Sequence, residues 1–471
     1  MPIGSTNTKA ADGHEKLSSS PIKIDARSGG ISNSPQYFTL SQTAGSGFAA
    51  FYTSYTYGPA RRLATVSTSP NSNMSGATQE ASYSYFASGK PQQLRFGSIP
   101  AVAVNYNYNE RDWLTSESST DFWEHIGYNN IAETGVVFDA TQFLNDLGYE
   151  YSLTPQFNGN ICWDTYYMNG LTYQNSSTFG SAYVYDNANR LKVSDFGYKS
   201  GSDWIETYGP YWMPNINYDN DGNITALQRY GSSSAIDKLS YTYASGTDRV
   251  SSIANSVGAG SNYGYDSNGN LQSDSRDSIG FIIYNIDNEP IEVYKLNSTE
   301  YWFNYDVDGT RIGKNMGGGS YYVFYANGPD GKTEVADEVP YGENITINLW
   351  ANGDNIGQVR NNSGSISHYY YLKDHLGDIK MILNSSGGTD SYNDYYPFGE
   401  QMPGRNQTGA ADGRYKYTTK ERDVETGLDY FGARYYDSWR GQWLSVDPLA
   451  MPFSPMKIRV SLFQNCKSEI S

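Results

Sequence analysis

Tyr263-Gly-Tyr-Asp-Ser-Asn-Gly-Asn-Leu271 decides the fold of this chain, because its shape keeps returning. Tyr183-Val-Tyr-Asp-Asn-Ala-Asn-Arg-Leu191, Ile216-Asn-Tyr-Asp-Asn-Asp-Gly-Asn-Ile224 and Phe303-Asn-Tyr-Asp-Val-Asp-Gly-Thr-Arg-Ile312 repeat it. In Tyr263-Gly264-Tyr265 the two rings alternate, so both fall on one face of a strand. A tyrosine (Tyr185, Tyr218, Tyr265, Tyr305) is followed each time by an aspartate (Asp186, Asp219, Asp266, Asp306), whose side chain can bind backbone amides of a bend. Asn268-Gly269 offers the positive φ values of a type I′ hairpin turn, and Asp221-Gly222 and Asp308-Gly309 offer the same chemistry. Leu191, Ile224, Leu271 or Ile312 then starts the returning strand.

Degenerate copies are anchored at Tyr243, Tyr284, Tyr325, Trp350, Tyr371 and Tyr392, and successive anchors from Tyr243 to Tyr392, with Tyr265 and Tyr305 included, lie about 19 to 25 residues apart. A fixed period in that range means a repeat architecture. One hairpin has a single face to bury and nothing to bury it against, so copies must stack laterally into one long sheet. Strands twist, and a long open sheet therefore curls. Tyrosine suits its concave face, since the ring is apolar while the hydroxyl still reaches water or a neighbour. The expected fold is all-β: stacked hairpins in a long spiralling sheet. These tyrosines and aspartates are scaffold, because turn and strand requirements already account for them.

Composition agrees. The 44 tyrosines bring aromatic residues to 15 % while only 38 % of the chain is hydrophobic, and 48 glycines mark frequent turns. A formal net charge of −17 argues against binding nucleic acid or anionic membranes, both of which are held through Lys and Arg. Cys162 and Cys466 are too few for a disulfide framework. No apolar run is long enough to span a bilayer, and Met1 to Ser20 lacks the hydrophobic middle of a secretory signal.

Residues 1–45 read as a flexible lead-in, 46–400 as the repeat region, 401–450 as a distinct closing segment, and 451–471 as an atypical tail that is truncated or displaced in frame. Phe138 to Leu147 reads as a short helix or bulky loop. Asp219-Asn-Asp221-Gly222 and Asp306-Val-Asp308-Gly309 resemble fragments of calcium loops but lack the later bidentate carboxylate, so hairpin turns explain them better. His14, His125, His368 and His375 are scattered and form no metal set, and His375 reads as structural. No phosphate loop or serine nucleophile elbow is present, and no cofactor is expected.

The closing segment carries a more specific signal. Tyr415-Lys-Tyr-Thr-Thr-Lys-Glu-Arg-Asp423, Glu425-Thr-Gly-Leu-Asp-Tyr-Phe-Gly-Ala-Arg-Tyr-Tyr-Asp437 and Gly441-Gln-Trp-Leu-Ser-Val-Asp-Pro448 closely resemble the core-associated signature of the RHS/YD-repeat proteins. Within it Gly427, Arg434, Tyr435, Tyr436, Asp437, Asp447 and Pro448 are signature positions. Tyr369-Tyr-Tyr-Leu-Lys-Asp-His-Leu-Gly-Asp378 and Asp394-Tyr-Tyr-Pro-Phe-Gly399 are similar to the segment that precedes it in the family.

This resemblance implies a hollow β-shell closed by the core-associated plug, in bacterial proteins that are secreted or exposed at the cell surface. Many family members hold a toxic C-terminal domain inside the shell, others act in adhesion, and several carry a self-cleaving aspartyl protease near the plug. That protease uses two Asp-Pro-x-Gly motifs. Here Asp447-Pro448-Leu449-Ala450 lacks the glycine, and no aspartate follows. Asp447 is thus the one catalytic candidate and has no partner carboxylate. Thr419 stands where the family usually has glycine, which strains the site if positive φ is required, and Gln442 replaces a common arginine. The leading expectation is a non-enzymatic shell for a toxin or other protein cargo. The alternatives are a surface module binding glycans or proteins, and a self-cleaving protease.

Overall fold

The computed structural model describes residues 22–27, 36–42, 50–97, 102–129, 155–201, 203–205, 210–315, 317, 322–327, 333–339, 344–362 and 365–448. They build three antiparallel sheets of 13, 17 and 4 strands, and in each sheet the strands follow strict chain order. The first runs from Ile22–Arg27 to Asp203–Ile205, the second from Ile216–Tyr218 to Thr389–Tyr392, and the third from Glu421–Arg422 to Gln442–Trp443. A reciprocal bridge between Ser194 and Met213 carries the first sheet towards the second. The fold is all-β, as expected.

The repeat turn is not type I′. In Asp266–Asn270 the amide of Asp266 donates to the Asn270 carbonyl at 3.0 Å and that of Gly269 to the Asp266 carbonyl at 3.2 Å. Of the pair Asn268-Gly269 only the glycine is left-handed, with φ 94°. The register shifts at Tyr265, which pairs with Leu271. This is a three-residue loop ending in a left-handed residue and a bulge. Asp186, Asp219 and Asp306 head the same loop. A true two-residue turn with both residues left-handed occurs at Asn352 and Gly353 (φ 51° and 82°), where Ala351 pairs directly with Asp354. Loop length, rather than the Asn-Gly pair, selects the turn.

Each turn acid holds its loop. Asp219 Oδ1 accepts the amides of Asp221 and Asn223, both at 2.9 Å, and Asp306 Oδ1 accepts those of Asp308 and Thr310. The Asp-Asn-Asp-Gly fragment is therefore a hairpin turn. Asn109, Asn285, Asp374 and Asn384 head further copies, with Oδ1 on amides two and four residues ahead. Tyr325, Tyr371 and Tyr392, read as anchors, lie in strands and head no such loop.

The tyrosine before the turn ties one hairpin to the last. Tyr185, Tyr218, Tyr243, Tyr284 and Tyr305 donate their hydroxyls, at 2.6–3.0 Å, to the carbonyls of Ile161, Leu191, Ile224, Leu271 and Pro290. Tyr85 and Tyr128 do the same to Leu63 and Leu114. In each case the acceptor is the residue just past an earlier turn. The ring packs inward and the hydroxyl satisfies a carbonyl that the bulge leaves without a strand partner.

The slot just past the turn is apolar and buried at Leu191, Ile224 and Leu271. The expectation fails in the fourth copy: five residues after Asp306 comes Arg311, which is 2 % exposed, while Ile312 is 40 % exposed. Two strands, Ile22–Arg27 and Gln36–Gln42, lie inside the stretch read as a lead-in and pair with each other, and Gln36–Gln42 pairs in turn with Ala50–Tyr57. Their alternation was outweighed by the surrounding Ser, Gly and Asn. Phe138–Leu147 and the tail 451–471 lie outside the described residues.

The strip curls until its sheets face one another. Tyr370 of the second sheet packs at a tilt on Phe96 of the first with ring centroids 5.3 Å apart, and its hydroxyl donates to Glu80 at 3.0 Å. One buried apolar cluster runs from Phe51 and Val66 in the first sheet through Leu239 and Leu383 in the second to Trp439 in the closing segment. The result is a β-shell wall with the small third sheet as its plug.

The tyrosine link makes a prediction. Tyr218→Phe keeps the ring and strands the Leu191 carbonyl, so the unfolding free energy should fall by about 1 kcal/mol. Tyr57→Phe, at a half-exposed ring, should change it by less than about 0.5 kcal/mol. Urea midpoints of the two variants check this.

Candidate functional site: the seat of the plug

Two cations on one wall strand reach into the plug. Strand Arg311–Asn315 buries Arg311 and Lys314 at 2 % and 4 % exposure. Arg311 Nη1 meets Asp423 at 2.6 Å and Nη2 meets Glu421 at 2.9 Å. Lys314 Nζ meets Asp423 at 2.7 Å, Glu425 at 3.1 Å and Glu421 at 3.2 Å. Tyr325 donates to Glu421 at 2.7 Å, Arg311 donates to Tyr435 at 2.9 Å, and Tyr430 lies over the guanidinium at 4.2 Å.

Burial alone would lower the pKa of Arg311 and Lys314, but Asp423, Tyr325 and Glu421 together outweigh it and hold both well above their ordinary values. Burial likewise pushes Glu421 up, and Lys314, Arg311 and Arg414 more than reverse that. Charges this deep persist only as a connected set. Arg414, paired with Asp412, lies 3.7 Å from Glu421 and extends the set.

A second seat lies deeper in the plug. Arg229 pairs with Asp237 at 3.0 Å and donates to the carbonyls of Ser438 and Trp439, while Trp439 Nε1 returns to Asp237 at 3.0 Å. Tyr241 donates to the Arg440 carbonyl and Leu271 to that of Leu444.

A third charged seam joins the two large sheets. The turn Asp374–Asp378 inserts against the first sheet, and Glu124 accepts both the His375 amide and ring Nδ1 at 3.0 Å. Beside it, Tyr183 donates to Asp164 at 2.8 Å. Asp394 binds Lys380, Arg405 at 2.7 Å and Tyr166 at 2.8 Å, and the Arg405 guanidinium stacks on Phe179 at 3.9 Å. Here Glu117, Glu124, Asp164, Asp374, Asp378 and Asp394 outnumber the cations about them, Lys373, His375, Lys380 and Arg405. Burial, then the Glu124 charge, pushes Asp164 up to about 7, and Asp374 and Asp378 are raised too, chiefly by burial. Burial would lower the His375 pKa, but Glu124 with Asp374 and Asp164 outweighs it and lifts it to about 10.

The expected signature residues have these places. Tyr265 packs in the small cluster of Leu271, Phe303 and Leu444. Gly427 is left-handed (φ 80°) and Arg434 lies over Trp443 at 4.2 Å. Tyr435 accepts from Arg311, Tyr436 donates to the Phe398 carbonyl at 3.1 Å, and Asp437 accepts the amides of Trp439 and Arg440. Asp447 pairs with Arg434 at 3.1 Å, and Pro448 lines an open groove. Thr419 has φ 56° and Thr418 φ 48°, so the strain expected at Thr419 extends over two β-branched residues. Gln442 donates to the Tyr243 hydroxyl at 2.9 Å. Asp274, Asp277 and Asp437 bring carboxylate oxygens within 4.8 Å of one another, but Ser261 and backbone amides already use Asp274. Among the described residues no helix is long and apolar enough to cross a membrane.

The sequence reading missed Arg311, Lys314, Arg229 and Arg405. One signal was available: counting five residues from Asp306 lands on Arg311 in an otherwise apolar slot.

No family model matches the chain. Over 192 residues it is 30 % identical to the tRNA3(Ser)-specific nuclease WapA of Bacillus spizizenii, covering 39 % of this chain and 8 % of that protein. Over 75 residues it is 43 % identical to toxin subunit YenC1 of Yersinia entomophaga, covering 16 % of this chain and 8 % of that one. The chain is similar to toxin-related proteins. It spans less than a tenth of the length of these curated relatives. Its fold is shared with the crystal structure of TcdB2-TccC3 without the hypervariable C-terminal region, at a TM-score of 0.57 and 18 % identity over 88 % of this chain and 20 % of that one.

Two outcomes follow from the charges. Arg311→Leu makes the fourth copy match the other three locally, yet leaves the buried Asp423, Glu421 and Glu425 to Lys314, so it should destabilise by about 3 kcal/mol in urea unfolding. Stability should also fall on the alkaline side. Asp164 is raised from 3.8 to about 7 and His375 from 6.5 to about 10. In both the folded state holds the extra proton, so the contribution is full below the ordinary value and is lost as pH rises through the raised one. Melting temperature should drop between about pH 4 and 10, and Asp164→Asn should remove the part lost between pH 4 and 7.

Proposed function

We propose that the chain forms part of the wall and plug of a non-enzymatic shell that encloses and presents a toxin or other protein cargo, secreted or exposed at the cell surface, in bacterial competition or host interaction. The single observation that carries this reading is the seat of the plug. Two buried cations and three buried carboxylates hold residues 421–425 against the wall. Such a seat exceeds what a binding surface needs and suits a closure that must not open by chance. The similarity to toxin subunit YenC1 and to WapA nucleases, and the fold shared with TcdB2-TccC3, support it. The cargo's chemistry would belong to the cargo, and Asp447, occupied by Arg434, acts as a plug residue.

The test is protection. A small reporter domain is fused after Ser471, and proteinase K digestion is followed with and without Arg311→Leu. The reading expects a reporter cut much more slowly than the free domain and exposed by the variant. A reporter cut as fast as the free domain contradicts it. Intact mass addresses the protease alternative: the full mass should persist and be unchanged by Asp447→Asn, whereas cleavage that depends on Asp447 would restore a catalytic role.

A further inference from the structure

One lysine in the seam between the two large sheets meets its carboxylate in a confined place. Lys380 lies in strand Ile379–Asn384 and Asp394 just past strand Thr389–Tyr392. The Asn393 amide donates to the Lys380 carbonyl at 2.8 Å, which fixes the two residues side by side. Both side chains are buried, and Lys380 Nζ touches Asp394 Oδ1 directly. Lys314, by contrast, is shared among Glu421, Asp423 and Glu425. The rings of Tyr166 and Tyr395 lie 4.7 and 5.9 Å from Lys380 Nζ and wall it in.

The second oxygen of Asp394 is braced as well. Arg405 Nε and the Tyr166 hydroxyl donate to Oδ2 at 2.7 and 2.8 Å, and the Tyr395 amide donates to Oδ1 at 3.1 Å. Donors fixed on one carboxyl oxygen stabilise the charge that gathers there when a nucleophile adds to the carbon. Beside the pair lies a cavity of about 50 Å³, whose lining includes Asp164, Asp374, Asp378, Lys380 and Asp394. It has room for a water molecule. An amine, a carboxyl carbon with a braced oxygen, neighbouring acids and space for a leaving water thus meet in one buried place.

We propose that Lys380 and Asp394 condense into a side-chain amide, an intramolecular cross-link that closes the last hairpin of the second sheet. Nζ passes one proton to Oδ1 across their contact, and the freed amine attacks Cγ. The new C–N bond puts negative charge on Oδ2, where Arg405 and Tyr166 donate. A second proton moves from the nitrogen to Oδ1 through Asp378, which lines the same cavity and whose carboxyl is raised chiefly by burial. The Cγ–Oδ1 bond then breaks and water leaves into the cavity. One ammonium and one carboxylate become one amide and one water, with no change in net charge and no other reagent. Holding the two groups together replaces a bimolecular encounter, and a site closed to bulk water opposes hydrolysis. The product also removes two buried charges that the ion pair keeps desolvated. This inference concerns the seam between the sheets and does not depend on the carrier reading.

The test is the mass of the purified whole chain and of its tryptic peptides after denaturation. The intact mass should fall short of the sequence by one water, a deficit that cleavage of the chain would not produce. Trypsin should fail to separate Asp374–Lys380 from Met381–Arg405, and the two should appear as one peptide lacking a water. Its fragmentation should place the bond between Lys380 and Asp394, a readout on the wild type that stands even where a variant fails to fold. Lys380→Met should restore the full mass. Two results overturn the proposal. One is an intact mass equal to the sequence, with peptides 374–380 and 381–405 released separately. The other is a missing water that fragmentation places elsewhere or that persists in Lys380→Met, as a cyclised aspartate would give.

Discussion

A tyrosine hydroxyl donating to the carbonyl just past an earlier turn is the contact on which the wall depends. The bulged turn that each aspartate holds ends one strand early and leaves a carbonyl without a ladder partner. The next anchor fills it, as Tyr218 does at Leu191 and Tyr243 at Ile224. One side chain thereby buries a ring, satisfies a buried acceptor and fixes the register between hairpins. Register matters because a slip of one residue would turn every inward ring to solvent. Tyrosine is required at that position, since phenylalanine has no donor and a shorter polar residue has no ring.

Charge is used where apolar packing cannot discriminate. Rings and aliphatic side chains fit many partners, whereas Arg311 and Lys314 accept only a surface that supplies Glu421, Asp423 and Glu425 together. The cost is desolvation, and the return is one docked geometry for the plug. The seam at Glu124 and His375 follows a different logic. It carries more carboxyls than cations, burial raises Asp164, Asp374 and Asp378 above their ordinary values, and its attachment weakens as pH rises.

Much of the wall was legible in the sequence because its rules are local. Strand alternation, the aspartate heading each loop and the period between anchors all act within about ten residues, and they place Tyr185, Asp219, Asp266 and Gly309 correctly in strands and turns. The turn type was misread because Asn-Gly serves both a two-residue turn, as at Asn352-Gly353, and the end of a longer bulged loop, as at Asn268-Gly269. The seat of the plug was illegible for a different reason. Arg311 and Asp423 are separated by 112 residues, and nothing local in either segment announces the other. Only the departure of Arg311 from the apolar slot carried a trace of that contact. Strand Ile22–Arg27 was hidden by composition, since its alternation is short and its surroundings are rich in turn formers.

The central claim is that the plug is fastened to the wall as one cooperative unit through the Arg311 and Lys314 seat. Native-state hydrogen exchange read by mass spectrometry tests it most directly. The amides of strand Arg311–Asn315 and of Glu421–Tyr430 should exchange with the same opening free energy and shift together as denaturant is raised. A plug that exchanges far faster than its wall strand, at a rate indifferent to denaturant, would mean that the two are separate units, and would contradict the account.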